Sequence, residues 1–590
     1  SHNAKTGAYL YWPMQVASEV QNWSGRKGQI HVTMSGALVN NVQSLSQLQN
    51  VLGYNNPNWG QSWASSWSNL RTLNNQRTLD TIHFTGHHTM GPLVGNEYFL
   101  KDLIYQNATL AQPYFLGGSF QASKGFFPTE LGFSPRLVPT LAKLGIQWSV
   151  LGNNHLSRTL KDYPYASYDA TGDTLTSPPN RADLRNTSTT GSWVAAQMAH
   201  EQQVVVNKFP FASTPHWVRH VDAASGAVSQ VAGIPVSQNG SWLEGWDGAT
   251  TVDELAPYQA LEPRQFFVIA HDGDNSSGRA GSLDTWQAGY NVTCSGNGYC
   301  LGIDEYLRQF PIPAGDVAHV QDGSWIDTRD SSSDPTWYHW HLPMLIWKGQ
   351  FAEFNRVTGM NLAPKKNLKG LEEGATVSLE YGWHYLERNF ALLQAAQNYA
   401  STAEQIWLDA NPNYWSPSTP LDQQITHPGN QLNPWMLSYP VKGNAANNYA
   451  GGANPAELAW YFLLPAMDSG FGYYDENKDD SVKPTLAFNN SLAFSKPYVQ
   501  ARLAQDRTGP SVWWPQRSPY NPGSVNGSKA EGWTVQHYSR DFAIYSYAFD
   551  VSGISSARVM VRPHTGSTID ASDDTYKVYD PAAQVGKPGL

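Results

Sequence analysis

The chain has 590 residues, too many for one compact core, so a large domain with smaller ones attached is expected. A net charge of -10 and a charged fraction of only 15% argue against nucleic acid or an anionic membrane as partner, and no apolar run is long enough to span a bilayer. The 23 Trp and 30 Tyr suit an enzyme whose rings cover the apolar faces of sugars, and equally suit a core.

Taken in order, Ala8 to Val16 (AYLYWPMQV) reads as a strand turning at Pro13, and Gln29 to Met34 (QIHVTM) as a second strand. A helical stretch around Leu45 to Leu52 and a Trp- and Asn-rich loop from Tyr54 to Trp67 precede a third strand, Thr81 to Thr85. That strand ends in GHHTMGP, which sets His87 and His88 at a strand end, placed to hydrogen-bond sugar hydroxyls or a carboxylate. No HExxH pattern accompanies them, so sugar contact is favoured over a metal.

Gly125 to Leu151 (GFFPTELGFSPRLVPTLAKLGIQWSVL) packs a strand end, an acid, a helix and a new strand into one unit. Ser134 is a fitting N-cap, Pro135 a tolerated first helical residue, and Gly145 a C-terminal stop before the strand Ile146 to Leu151. Glu130 therefore falls in a strand-to-helix loop, where parallel α/β architectures gather their chemistry, although a carboxylate there also pairs with a helix dipole. Gln265 to Asn275 (QFFVIAHDGDN) repeats the theme: an apolar strand, Phe266 to Ala270, runs into His271, Asp272, Gly273 and Asp274. Two strand-end acids from separate units suggest the carboxylate pair that glycosidic cleavage requires.

Between these units a short strand, Gln203 to Val206, and the segment HWVRHVD, with His216 and Trp217, look like a cleft edge. A helix near Ile303 to Gln309 leads to the run Val317 to Trp325, in which Asp322 and Trp325 are placed to line a sugar subsite, unless Asp322 only caps the next segment. Alternating strands and helices to about residue 345 favour a parallel, barrel-like domain. Glu380 to Asp409 and Pro455 to Leu464 read as helices, and from Gly509 short alternating runs read as a β-sandwich. The expected domains are therefore 1–350, 351–507 and 508–590. Cys294 and Cys300 bracket CSGNGYC and are expected to form a disulfide in an oxidising compartment, two free thiols in a cytosolic enzyme being the alternative. With no leader at Ser1, the chain reads as a mature or trimmed form, secreted or periplasmic, and as a monomer. DENKDD at 475–480 offers oxygen ligands for a structural calcium but lacks the glycine and glutamate of an EF-hand loop; no cofactor is otherwise expected.

GFFPTELGFSP resembles the nucleophile motif of glycoside hydrolase family 57 and the related family 119, retaining enzymes acting mainly on starch-type α-glucans. GQIHVTMSG, which contains His31, is similar to the family's second motif, and HDGDN to its fourth, usually DGE. The resemblance runs in motif order through the first 350 residues, while MDSGFGYY and PSVWWPQRSPYNPG resemble the helical region and β-module of multidomain members. It implies an α/β fold, an incomplete (β/α)7 barrel followed by a helical region and a C-terminal β-sandwich. It also implies Glu130 as nucleophile, Asp272 as general acid/base and an α-glucan polysaccharide as substrate. The expected substrate-binding set is His31, His87, His88, His216, Trp217, His271, Asp274 and Trp325. YWPMQ departs from the family's first motif, which usually carries histidines, and Asp274 stands where a glutamate is usual. Hydrolysis of another α-linked polysaccharide, metal-dependent deacetylation and glycan binding without catalysis are the competing readings.

Overall fold

Short, almost wholly buried apolar runs build a parallel ladder. In the computed structural model, β1 (Ile30–Val32) pairs in parallel with β2 (Leu79–Thr81), and β3 (Gly125–Phe126) with β4 (Trp148–Gly152). Between β2 and β3 the His83 N–H donates to the Gly125 carbonyl at 2.9 Å and the Phe127 N–H to the His83 carbonyl at 2.9 Å, so the ladder is continuous. The structure describes residues 2–22, 25, 27–48, 53–157, 159–160, 192–197, 203–209, 211–222, 225–237, 241, 264, 266, 268–270, 300–320, 322–323, 388–440, 452–471, 478–518, 525–526, 536–537, 543–561 and 577–579. Within these, β5 (Ser192–Gln197) and β6 (Gln203–Phe209) form a separate antiparallel pair, β7 (His216–Val221) runs antiparallel to β8 (Val228–Val236), and β8 is parallel to β4. A parallel bridge from Val236 to Val268 adds the predicted Phe266–Ala270 segment beside β8, and β9 (Val317–Ala318) lies parallel to β7.

All five residues of β4 are buried, as expected of a strand covered on both faces. One face of the ladder carries Ile82, Trp148, Val150, Ala232, Ile234 and Val236 in one cluster with Leu131. The other contributes Phe126, Leu151 and Val231 to a larger core shared with the helical region. Gly125 is required by this packing, because a Cβ there would stand 2.1 Å from the Trp148 ring.

The first 70 residues differ from the sequence reading. AYLYWPMQV is not a strand: helices His2–Leu10 and Trp12–Val20 occupy the region, with Pro13 in a first turn where its missing N–H costs nothing. Met14, Val16, Ala17 and Val20 form the buried face. The Trp-rich loop is the helix Trp59–Asn69; Trp59, Trp63 and Trp67 recur every fourth residue and are all buried, the first stacked on Phe115 at 4.9 Å. The helix expected near Leu45 to Leu52 lies earlier, at Gly36–Ser46, because Ser35 caps it by accepting the Leu38 N–H. The other expectations hold more closely: Ser134 accepts the Arg136 N–H, Pro135 opens a helical turn that leads into the helix Val138–Lys143, and Gly145 has φ 74°.

Helix Pro455–Leu463 matches its predicted position, and helix Arg388–Ala410 matches the described part of the predicted Glu380–Asp409 helix, whose residues 380–387 lie outside the described residues. A third long helix, Lys478–Gln500, carries Pro484 and Pro497 in its interior, which hid it from a reading that treats proline as a stop. The start of this helix takes up Lys478 to Asp480 of the acidic run; the rest of that run lies outside the described residues. Towards the C-terminus, Ser511–Val512 pairs with Ala548–Phe549 and Gln516–Ser518 with Ala543–Tyr545, both antiparallel.

Helix Pro455–Leu463 begins with a capping box in which Glu457 receives the N–H groups of Asn454 and Asn433, each at 3.0 Å. Burial nonetheless pushes this carboxyl up from 4.5 to about 7, against the opposing hydrogen bonds. The folded state therefore holds this proton more tightly than the unfolded chain does. That stabilisation is complete below about pH 4.5 and is lost as pH rises through about 7, a swing on the order of 3 kcal/mol. Denaturant titrations at pH 5 and pH 8 are expected to show wild-type stability falling across this window, and Glu457→Gln to flatten the fall.

Candidate active site

Phe127 precedes Pro128 and is therefore held extended, which carries β3 straight into the turn Thr129–Leu131. Glu130 (φ 56°, ψ 26°) and Leu131 (φ 49°) are both left-handed. For residues with a Cβ this costs roughly 1–2 kcal/mol each, so surrounding contacts must hold the turn. Thr85 and Thr129 share a hydroxyl–hydroxyl bond of 2.6 Å, Phe133 and Gly323 form an antiparallel bridge, and Leu131 is buried to 5% exposure in the ladder's cluster.

Glu130 meets a residue from the distant helical region. The Ser469 hydroxyl donates to Glu130 Oε1 at 3.5 Å, and His88 Nδ1 lies 2.7 Å from the same hydroxyl. A serine has one proton; if it goes to Glu130, His88 must donate from Nδ1, which gives a relay His88→Ser469→Glu130. The backbone reinforces it, since the Ser469 N–H donates to the His88 carbonyl at 3.0 Å and Thr89 bridges Asp468. His88 is itself left-handed, with φ 57°, so three strained residues converge here.

Asp468 is the second carboxyl of this cluster. Burial raises it above the usual carboxylate range; His88, the Gly470 N–H and His87 oppose the rise, and the charge of Glu130 adds to it. A half-buried carboxyl favouring its proton beside a second carboxylate is the electrostatic arrangement of an acid–base pair. Sequence reasoning missed both Asp468 and Ser469. They stand 338 and 339 residues from Glu130, and their only signal was the resemblance of MDSGFGYY to a helical-region segment.

Of the predicted residues, His87 is buried beside this cluster, with Nδ1 2.7 Å from Asp102 Oδ1 and its ring 4.2 Å from that of Tyr105. His31 is not brought to Glu130. It faces Asp80 and packs edge-on to Trp148 at 5.1 Å, within a buried network where Arg77, His31 and Ser123 hold the Asp80 carboxyl down at about 2 despite its burial. His216 spends both ring nitrogens on the protein: Nδ1 is 2.7 Å from Asp316 and Nε2 2.8 Å from the Phe211 carbonyl. Trp217 donates to the Ile312 carbonyl at 3.3 Å. His220 follows His216 by four residues, but along a strand that spacing is about 13 Å. Among the described residues no group of three or more His, Cys, Asp or Glu is gathered to hold a metal. Asp322 pairs with Arg136 at 2.9 Å, and that guanidinium lies 4.1 Å over the Trp514 ring. His271, Asp272, Asp274 and Trp325 lie outside the described residues.

No family model matches the chain. It is 67% identical over 584 residues to an alpha-amylase of Niallia circulans, an overlap covering 99% of this chain and 45% of that protein, so the chain spans under half of its relative's length. Among solved structures it is similar to a 4-alpha-glucanotransferase of Thermococcus litoralis (13% identity, 79% of this chain and 55% of that one, TM-score 0.37). It is also similar to a GH57 branching enzyme of Thermococcus kodakaraensis (10% identity, 84% and 91%, TM-score 0.38) and an exo-type maltose-forming amylase of a Pyrococcus species (10% identity, 84% and 72%, TM-score 0.41).

If the relay orients Glu130, Ser469→Ala is expected to lower kcat about 10-fold, the loss of one hydrogen bond to a charged group, with little change in KM. His88→Phe should cost a similar amount. The double variant should cost much less than the product of the two, because either change breaks the same relay. Additive losses would show that the residues act separately.

Proposed function

We propose that the chain is the glycoside-hydrolase part of an α-glucan-degrading enzyme, cleaving α-glucosidic bonds of starch-type polysaccharide with net retention. One observation carries the reading: Glu130 leaves the end of a parallel strand on a strained turn and lies in a half-buried cluster with His88, Ser469 and Asp468. The 67% identity with an alpha-amylase supports the same substrate class.

In the proposed reaction the Glu130 carboxylate attacks the anomeric carbon while Asp272 gives its proton to the departing glycosidic oxygen. This yields a glycosyl ester on Glu130 and a free chain end. Asp272, now a base, takes a proton from water as the water attacks the same carbon, which releases the sugar and restores both groups. Asp272 comes two residues after Ala270, the last described residue of the segment bridged to β8 at Val268, and the strand-end position expected from the sequence suits this role. A second assignment, with Asp468 as the proton donor, has its raised proton affinity beside Glu130 behind it.

The reading also includes an incomplete (β/α)7 barrel over 1–350, supported by the parallel order β1, β2, β3, β4, β8 and Val268, then a helical domain over 351–507 and a β-sandwich over 508–590, supported by the antiparallel pairs there. We further propose a monomer, secreted or periplasmic, with a Cys294–Cys300 disulfide; the described residues include no free cysteine. The hydrolysis uses carboxylates alone, without a cofactor.

Glu130→Gln is expected to lower turnover at least about a thousandfold while soluble maltodextrin still binds. Asp272→Ala should lose most activity on maltodextrin but less on aryl glycosides with good leaving groups, and Asp468→Asn should not show that selectivity. If the selectivity falls on Asp468→Asn instead, the second assignment holds. Proton NMR of the first-formed product should show the α anomer; the β anomer would rule out retention.

A further inference from the structure

A cavity of about 610 Å³ opens between the first turn of helix Asn96–Leu110, helix Arg388–Ala410 and the segment 508–514. It shares no lining residue with the small cleft beside Asp468 and Ser469. Its volume falls within the roughly 300–1,000 Å³ of small-molecule sites. Glu97, Gln397, Ser401, Glu404 and Trp514, whose ring also carries the Arg136 guanidinium on one face, line it. Glu404 is satisfied by Lys101 at 2.6 Å and by the Trp460 indole at 2.8 Å, whereas Glu97 receives the Ser401 hydroxyl at 2.8 Å and is exposed to the cavity. Gln397, only 6% exposed, hydrogen-bonds Glu97 through its side chain, and its enclosed Oε1 has no hydrogen-bond partner.

This lining combines acceptors, a hydroxyl and an indole, which is the chemistry that receives a neutral polyol: hydroxyls donate to carboxylate and amide oxygens while the C–H face packs on a ring. We propose that the cavity is a second saccharide site that holds a short α-glucan segment away from Glu130. The proposal rests on the proposed function for its choice of α-linked glucose.

The test is calorimetric titration of maltotriose into the full chain carrying Glu130→Gln, which blocks turnover. Two sites per chain are expected. Adding Glu97→Gln together with Gln397→Leu should remove one of them, or weaken it at least about tenfold, and in the Glu130 parent the same pair should leave hydrolysis of a short soluble maltodextrin within about twofold. Val512→Trp, at an exposed position on the cavity wall, should remove the same site without deleting a buried hydrogen bond, which guards against a folding defect in the first variant. A stoichiometry that neither variant changes, or one site only in the Glu130→Gln chain that persists in both, overturns the proposal. Failure of the proposed function reads differently: the maltotriose site sensitive to Glu97 and Val512 remains, but no maltodextrin is hydrolysed by the parent.

Discussion

The structure around Glu130 depends on one constraint, a left-handed turn imposed on two consecutive residues that both carry side chains. Left alone, Glu130 and Leu131 would relax to the ordinary helical or extended regions and swing the carboxylate away. Burying Leu131 stabilises the turn by about 1.5–3 kcal/mol, comparable to the strain, and the Thr85–Thr129 bond and the Phe133–Gly323 bridge clamp its two sides. The strain is thus offset by contacts from three different stretches of chain, and any one of them displaced would move the carboxylate.

The helical region completes the site rather than merely flanking it. The turn after helix Pro455–Leu463 inserts Asp468 and Ser469 against the loop that follows β2, so the two acids and two histidines of the cluster come from three distant segments. The C-terminal segment is tied in as well. Trp513 stacks on Phe390 at 4.5 Å and donates to the Leu93 carbonyl at 3.2 Å, and Trp514 donates to the Val94 carbonyl at 2.8 Å. Of these two tryptophans Trp513 is buried structure, while Trp514 faces a cavity.

What the sequence made legible was local. The unit from Gly125 to Gly152 could be read because proline, serine and glycine punctuate it in chain order, and Glu130 fell out of that reading. The helix Trp59–Asn69 reads as a loop from sequence because Asn and Gly surround Trp59, Trp63 and Trp67, which nonetheless stand at helical spacing. The helix Lys478–Gln500 was hidden by two interior prolines. His31 and His216 looked like ligand contacts by residue type; tertiary structure put each in a private network with an aspartate, which no local pattern encodes. Asp468 and Ser469 carried no local signal beyond the resemblance of MDSGFGYY to a helical-region segment, since their partner is more than 300 residues away.

The account turns on Glu130 as the nucleophile whose carboxylate oxygen bonds to the anomeric carbon of the sugar. A slow-releasing fluorinated maltosyl fluoride, incubated with the full chain and followed by proteolysis and mass spectrometry, tests this directly. The account predicts one sugar adduct per chain, on the Glu130 side chain, formed at a rate that Ser469→Ala reduces. An adduct on Asp468 or elsewhere, or no adduct from a chain that hydrolyses maltodextrin normally, would contradict it.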